Sequence, residues 1–267
     1  MFVICCSRLC NFFIDFIITL FRKLFRTEEL QTANFKLKTT IMLSESHNHK
    51  PIFITGIGTA IGKTLVSAIV AEALNADYWK PIQAGYDEGT DSEWVKNVIS
   101  NKTTTIHTEA YKLKLPASPH IAAREEGVRI DLDIISDAYE KLDSHQPSNI
   151  IHQKSYILEG AGGLLVPLNE KEFVIDLIKK LSAKVILVSR NYLGSINHSL
   201  LTAAMCKREN IDVVGWVFND QYLSYEDEIV NWSGFPKIGS IPFANFPDKN
   251  FISEQANIIR PKLLELL

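Results

Sequence analysis

The stretch "PIFITGIGTAIGKTLVSAIVAEALNA" (residues 51–76) decides the fold. It reads as a short apolar run, a glycine loop, and a segment with apolar residues at helical spacing. This gives a strand over 51–55 and a helix over 62–76. Between them, Gly62-Lys63-Thr64 ends like the phosphate-binding pattern G-x-x-x-x-G-K-[ST]. The count differs by one. Counting back five from Gly62 lands on Ile57, whereas Gly56 lies six back and Gly58 four back. A loop one residue longer keeps every part that phosphate binding needs. Backbone N–H groups turn inward at a helix N-terminus. Gly56, Gly58 and Gly62 allow close approach, while Thr59, Ala60 and Ile61 fill the turn. Lys63 reaches terminal phosphates and the Thr64 hydroxyl suits Mg²⁺. The competing explanation is a strand–helix turn that merely contains glycines. The strand before and the helix after make the Gly-Lys-Thr match credible.

The alternation continues outward from this loop. Strands are expected at "YWKPI" (78–82, stopped by Pro81), "EAYKL" (109–113), "SYILEGAGG" (155–163), "KVILVS" (184–189), "DVVGWVFND" (212–220) and "KIGSIPF" (237–243). Helices are expected over 90–100, with Thr90 or Asp91 as cap, and over 118–127, opened by Ser118-Pro119. Further helices are expected over 132–142, 194–210 and 250–267. Continuous apolar strands alternating with helices predict a mostly parallel sheet with helices on both faces. The expected fold is therefore a P-loop NTPase-like three-layer α/β/α arrangement. The sequence shows no internal repeat, low-complexity tract or second domain.

The 267 residues are 46% hydrophobic and 22% charged, ordinary for a globular chain. A net charge of −3 and the lack of a long basic run argue against nucleic acid as partner. Cys5, Cys6, Cys10 and Cys206 form no C-x-x-C pair, and the seven histidines lack ligand spacing. Reduced thiols, no structural zinc and a cytoplasmic location are expected. Residues 1–41 differ from the rest, with six Lys/Arg against three Asp/Glu and an apolar, aromatic start. Arg8 and Asp15 interrupt a run that would need about 20 apolar residues to cross a membrane. A signal peptide would carry its basic residues before the apolar run. Met42 lies just ahead of the first convincing strand and is expected to be the true start. Residues 1–48 are thus expected to be an extension, disordered or not normally translated, before one domain over 49–267, with no membrane partner.

Chemistry-bearing residues gather where this fold binds ligands, at the carboxyl ends of strands. "YWKPIQAG" (78–85) puts Lys80 at the end of the second strand, beside the loop. "LEGAGG" (158–163) puts Glu159 at the end of a central strand, and Asp91 follows the second strand region. Thr64, Asp91 and Glu159 supply hard oxygen ligands for Mg²⁺, which takes few from protein. The plainer explanations are a helix-capping role for Glu159 and a solvated surface lysine for Lys80.

Taken in order, the long loop, "KPIQAG", "SPHIAA", "EGAGG", "LGSINH" and "GWVFND" resemble the dethiobiotin synthetase family, from about residue 50 to the C-terminus. That family uses the longer glycine spacing. The resemblance implies an ATP-dependent cyclo-ligase of biotin biosynthesis. It carboxylates 7,8-diaminononanoate with CO₂ to a carbamate, phosphorylates the carbamate with ATP, and closes the ureido ring with the second amine. It further implies that Thr59, Lys63 and Thr64 hold phosphates and Mg²⁺, with Asp91 and Glu159 completing the metal site. Lys80 matches the catalytic lysine. Ser118 and Pro119 match a substrate-side segment. Asn219 and Pro242 match the adenine rim. "LGSINH" matches a helix start that binds the substrate carboxylate of the neighbouring subunit in a homodimer, through Gly194, Ser195 and Asn197. A polar first turn is the plainer account of Asn197 and His198.

Three positions depart from the family. Ala60 stands where an acidic residue is frequent, Ala84 where a hydroxyl residue near the substrate is frequent, and Tyr192 where some members have lysine. Weaker substrate binding is expected from Ala84. One rival, an amide-forming synthetase on a corrinoid-like acid, would need an amidotransferase domain for which the chain is too short. Another is a P-loop ATPase switch of the partitioning type. Such switches often carry an early lysine in the loop, where this chain reads Ile57-Gly58-Thr59-Ala60-Ile61.

Overall fold

β1 (Ile52–Gly56) is buried along its whole length, because both faces of the strand are covered; this is why its sequence carries no polar alternation. The computed structural model describes residues 50–144, 154–220 and 223–267. The expectation about residues 1–48 lies outside them. β1 is the middle of a seven-stranded sheet. Across it run β4 (Ile106–His107), β2 (Asp77–Trp79), β6 (Tyr156–Gly163), β1, β7 (Lys184–Arg190), β8 (Val213–Asn219) and β9 (Lys237–Ile241). Every described pairing in it is parallel.

Alternate side chains of each strand go to opposite layers. Ile54, Val188 and Val217 pack with α1 (Lys63–Leu74), α2 (Asp91–Val98) and α8 (Lys249–Leu266). Phe53, Leu187 and Phe218 pack on the other side. There they meet α3 (Pro119–Glu125), α4 (Leu132–Ser144), α5 (Val174–Lys180), α6 (Ser195–Arg208) and α7 (Glu226–Ser233). Full burial of a side chain such as Phe53 contributes about 1.5–3 kcal/mol. The three-layer α/β/α fold with a P-loop-type parallel sheet is therefore the observed one. All these elements belong to one unit of the chain, His49–Leu267.

The structure corrects the sequence reading at Pro81. "YWKPI" is not one strand. Trp79 ends β2, and the chain restarts as β3 (Ile82–Ala84), which pairs with β5 (Tyr111–Leu113) in a separate two-stranded sheet. Proline has no N–H to give a ladder, while its carbonyl accepts from the N–H groups of Ala110 and Tyr111, both at 3.0 Å. The second correction concerns Lys80. β6 lies between β2 and β1, so Lys80 reaches the loop's neighbourhood across an intervening strand. Three short elements, β4, α5 and α7, were not foreseen, since two to eight residues hold too little periodicity to read.

Candidate active site

The loop between β1 and α1 has the shape that its glycines demand. Gly62 caps α1 with φ 87°, and a Cβ there would lie 2.3 Å from the Asn219 amide nitrogen. Only glycine meets both conditions. Asn219, at the end of β8, donates through Nδ2 to the Ile61 carbonyl at 2.7 Å and so clasps the loop from behind. Its Oδ1 is buried without a described partner. Asn219 pairs in register with Ile241 of β9, which brings Pro242, the next residue, to the same rim.

Lys63 is buried, and its ammonium donates to the Gly58 carbonyl at 2.7 Å. Burial pushes its pKa down to about 8; Lys80 adds to that shift, while Glu159 and Asp91 oppose it. Thr64 donates its hydroxyl to Glu159 Oε1 at 2.8 Å. The same oxygen accepts from Lys80 Nζ at 3.0 Å, and Lys80 also bonds Asp91. Burial disfavours the Lys80 charge, but the two carboxylates outweigh it and its pKa is raised. The loop hydroxyl, a central-strand carboxylate, the lysine that follows β2 and the first residue of α2 thus form one chain of contacts.

Each member is held by its own element. Thr90 caps α2 and Glu93 answers it in a capping box, so Asp91 is not the cap and its carboxylate is left for the site. Gln83 accepts from the Asp91 N–H at 3.3 Å and donates to the Gly85 carbonyl at 2.7 Å. Tyr78 donates to the second oxygen of Glu159 at 2.7 Å. Burial, and then the Glu159 charge, keep the Tyr78 hydroxyl protonated far above its ordinary range. Gln83 and Tyr78 were not singled out in the sequence. Only the face of Tyr78 was legible, since residues 78 and 80 share one face of an extended chain.

Lys63, Thr64, Lys80, Gln83, Asp91 and Glu159 face a cleft of about 710 Å³, with Tyr78 buried behind it. Of the expected residues it is lined by Thr59, Ala60, Gly62, Lys63, Thr64, Lys80, Ala84, Asp91, Ser118, Pro119 and Glu159. Ser118 shares a hydrogen bond with His120 at 3.0 Å. Gly58 accepts from Lys63, and Ile61 is buried beneath the loop. Asn219, Pro242, Gly194, Ser195 and Asn197 do not line the cleft. Gly194 caps α6 with φ 101°. The Ser195 hydroxyl is buried against the Tyr225 hydroxyl at 2.6 Å, and Asn197 is exposed.

The oxygens fit a divalent cation. Glu159 and Asp91 are already arranged about a positive charge, the Lys80 ammonium. Among the described residues no group of three or more His, Cys, Asp or Glu could hold a metal. Two carboxylates and one hydroxyl leave positions for phosphate oxygens and water, which suits Mg²⁺.

A family model described as an AAA domain matches residues 50–246. The ATP-dependent dethiobiotin synthetase BioD of Christiangramia forsetii is 44% identical over 81% of this chain and 99% of its own length. The chain belongs to the dethiobiotin synthetase family. Other dethiobiotin synthetases agree. That of Cytophaga hutchinsonii is 53% identical over 64% of this chain and 77% of its own. That of Paramagnetospirillum magneticum is 42% identical over 64% and 76%. Members of this family are ATP-dependent ligases. Among the described residues no helix is long and apolar enough to cross a membrane.

Proposed function

We propose that this cleft makes dethiobiotin from 7,8-diaminononanoate, CO₂ and ATP, within one synthetase domain over residues 49–267. The observation that carries the reading is the continuous contact chain Thr64–Glu159–Lys80–Asp91, which joins a phosphate loop to a buried lysine in one cleft. Thr59, Gly62 and the α1 N-terminus offer backbone N–H groups to the phosphates. Lys63 leaves the Gly58 carbonyl for the terminal phosphates. Thr64, Asp91 and Glu159 would hold Mg²⁺, which supplies charge neutralisation on the phosphates.

Lys80 holds the carbamate. A carbamate is an easily lost nucleophile unless its charge is countered, and a fixed buried cation counters it as phosphoryl charge develops. Ala84, Ser118 and Pro119 flank the diamine, and Asn219 and Pro242 face the adenine. Asn219 Oδ1, buried and unpartnered, supports that assignment, because an exocyclic amine would satisfy it. We further propose a cytoplasmic homodimer in which Gly194, Ser195 and Asn197 of one protomer bind the substrate carboxylate in its partner's cleft. The exposure of Gly194 and Asn197 beside the exposed Leu193 supports this.

The test is product formation. Protein is mixed with 7,8-diaminononanoate, bicarbonate, Mg²⁺ and ATP, and dethiobiotin is sought by mass spectrometry. Product that vanishes without ATP or without diamine is expected. ATP hydrolysis indifferent to the diamine, with no product, would overturn the reading.

A further inference from the structure

We propose that Tyr78 is a positioning residue: its hydroxyl sets the orientation of the Glu159 carboxylate and so fixes which oxygen faces the metal-side groups. The inference rests on the reading of Glu159 as a metal-side carboxylate. A carboxylate has two equivalent oxygens and turns easily about its last bond. Here the two are made unequal. Oε1 accepts from Thr64 at 2.8 Å and from Lys80 at 3.0 Å. Oε2 accepts from Tyr78 at 2.7 Å, the one donor to that oxygen among the described residues. Both cleft groups therefore meet the same oxygen, and the far oxygen is tied to the core.

The tie is rigid because Tyr78 is fully buried and cannot swing to water. Its ring packs in the layer that holds Ile54, Ile69 and Ile157. In the β2–β6 register Tyr78 stands opposite Ile157, so its ring reaches forward to a residue two places along the neighbouring strand. Lys80 lies two residues after Tyr78, so one face of the β2 segment supplies both the clamp and the cation. A partner that orients a metal ligand typically changes metal affinity by about 10- to 100-fold when removed.

The experiment uses the full chain with Tyr78→Phe, which keeps the ring and removes the hydroxyl. Mn²⁺ binding is measured by electron paramagnetic resonance with a non-hydrolysable ATP analogue present, beside Glu159→Gln and the double variant. Tyr78→Phe is expected to weaken Mn²⁺ about tenfold and to raise the metal concentration for half-maximal turnover by a similar factor. Nucleotide affinity without metal should stay within about twofold, which a general loss of structure would not allow. Glu159→Gln is expected to weaken Mn²⁺ at least as much, and the double variant no further, because Tyr78 acts only through Glu159. Unchanged Mn²⁺ affinity in Tyr78→Phe beside a clear loss in Glu159→Gln would overturn the inference and leave the metal reading standing. Unchanged affinity in Glu159→Gln would overturn both. Should Tyr78→Phe not fold, Tyr78→Leu, which also lacks the hydroxyl, is measured in its place: a loss of Mn²⁺ affinity of about tenfold supports the inference, and unchanged affinity overturns it.

Discussion

β2 is three residues long and has a buried carboxylate–lysine cluster at each end, and the two clusters differ in what they face. At its start, Asp77 accepts from the Thr105 N–H at 2.7 Å and from His107 at 3.2 Å, and it pairs with Lys154. These partners come from β4 and from the approach to β6, so the cluster stitches the edge of the sheet together. Just past its end, Lys80 meets Glu159 and Asp91, and that cluster opens on a cleft of about 710 Å³. The chemistry is alike and the setting is not. At the foot of a parallel sheet the donors are all spent on neighbouring strands. At the carboxyl ends, loops diverge and leave room for a ligand among the same charges. Buried charge alone is therefore no mark of function here; buried charge beside a cavity is.

The sharpest way to break this comparison is to remove the lysines at the open end. Lys80→Ala should lower dethiobiotin formation by about 10²–10³-fold, the usual cost of deleting one preorganised charge stabiliser, while ATP still binds within a few-fold. Lys63→Ala should also abolish turnover, but through lost nucleotide affinity. Product by mass spectrometry and equilibrium nucleotide binding separate the two. Near-normal turnover in Lys80→Ala would make that lysine a structural tie like those around Asp77.

The closed end should answer in stability. Asp77→Asn is expected to lower stability by about 1–3 kcal/mol, because buried donors lose their acceptor charge, with turnover of the folded enzyme within about twofold. It should also change the response to acid. Burial raises the Asp77 pKa, but bonds from His107, Lys154 and the Thr105 amide reverse this and hold it below its ordinary 3.8. A carboxyl depressed on folding contributes stability that is complete above the unfolded value and lost as pH falls through the folded one. The melting temperature of the wild type should therefore drop more steeply below about pH 4 than that of Asp77→Asn. Parallel curves would show that other carboxylates carry the acid response.

The same contrast explains what could be read in advance. The strand–loop–helix at 51–76, the continuous apolar strands and the glycine count are local facts, so the parallel three-layer fold and the residues of the loop were legible. Lys80 and Glu159 could be assigned to strand ends, and strand ends meet in this fold. The order of strands is a non-local fact. Nothing near Lys80 says that β6 would intervene between it and the loop, and nothing near Ile82 says that the chain would leave the main sheet after Pro81. The Asp77 cluster drew no attention either, because its partners lie 28, 30 and 77 residues away. Tyr78 fell between the two cases: its face was readable, its acceptor was not.

The smallest expected effect sharpens the open end. Ala84 closes β3 opposite Leu113 of β5 and lines the cleft near Ser118 and Pro119. Its methyl offers a diamine or carbamate bound there no hydrogen bond. Ala84→Ser adds one hydroxyl to a half-buried position without changing the strand. A hydrogen bond gained there contributes about 0.5–1.5 kcal/mol, so KM for the diamine should fall about 2- to 13-fold while kcat stays level. That split matters, because a group touching only the bound ground state and transition state equally lowers KM alone. A rise in KM would mean that the ligand fills the space the methyl leaves. No change in either constant would move the diamine away from β3, and Ala84 would then belong, with Asp77, to the part of the molecule that only holds the sheet together.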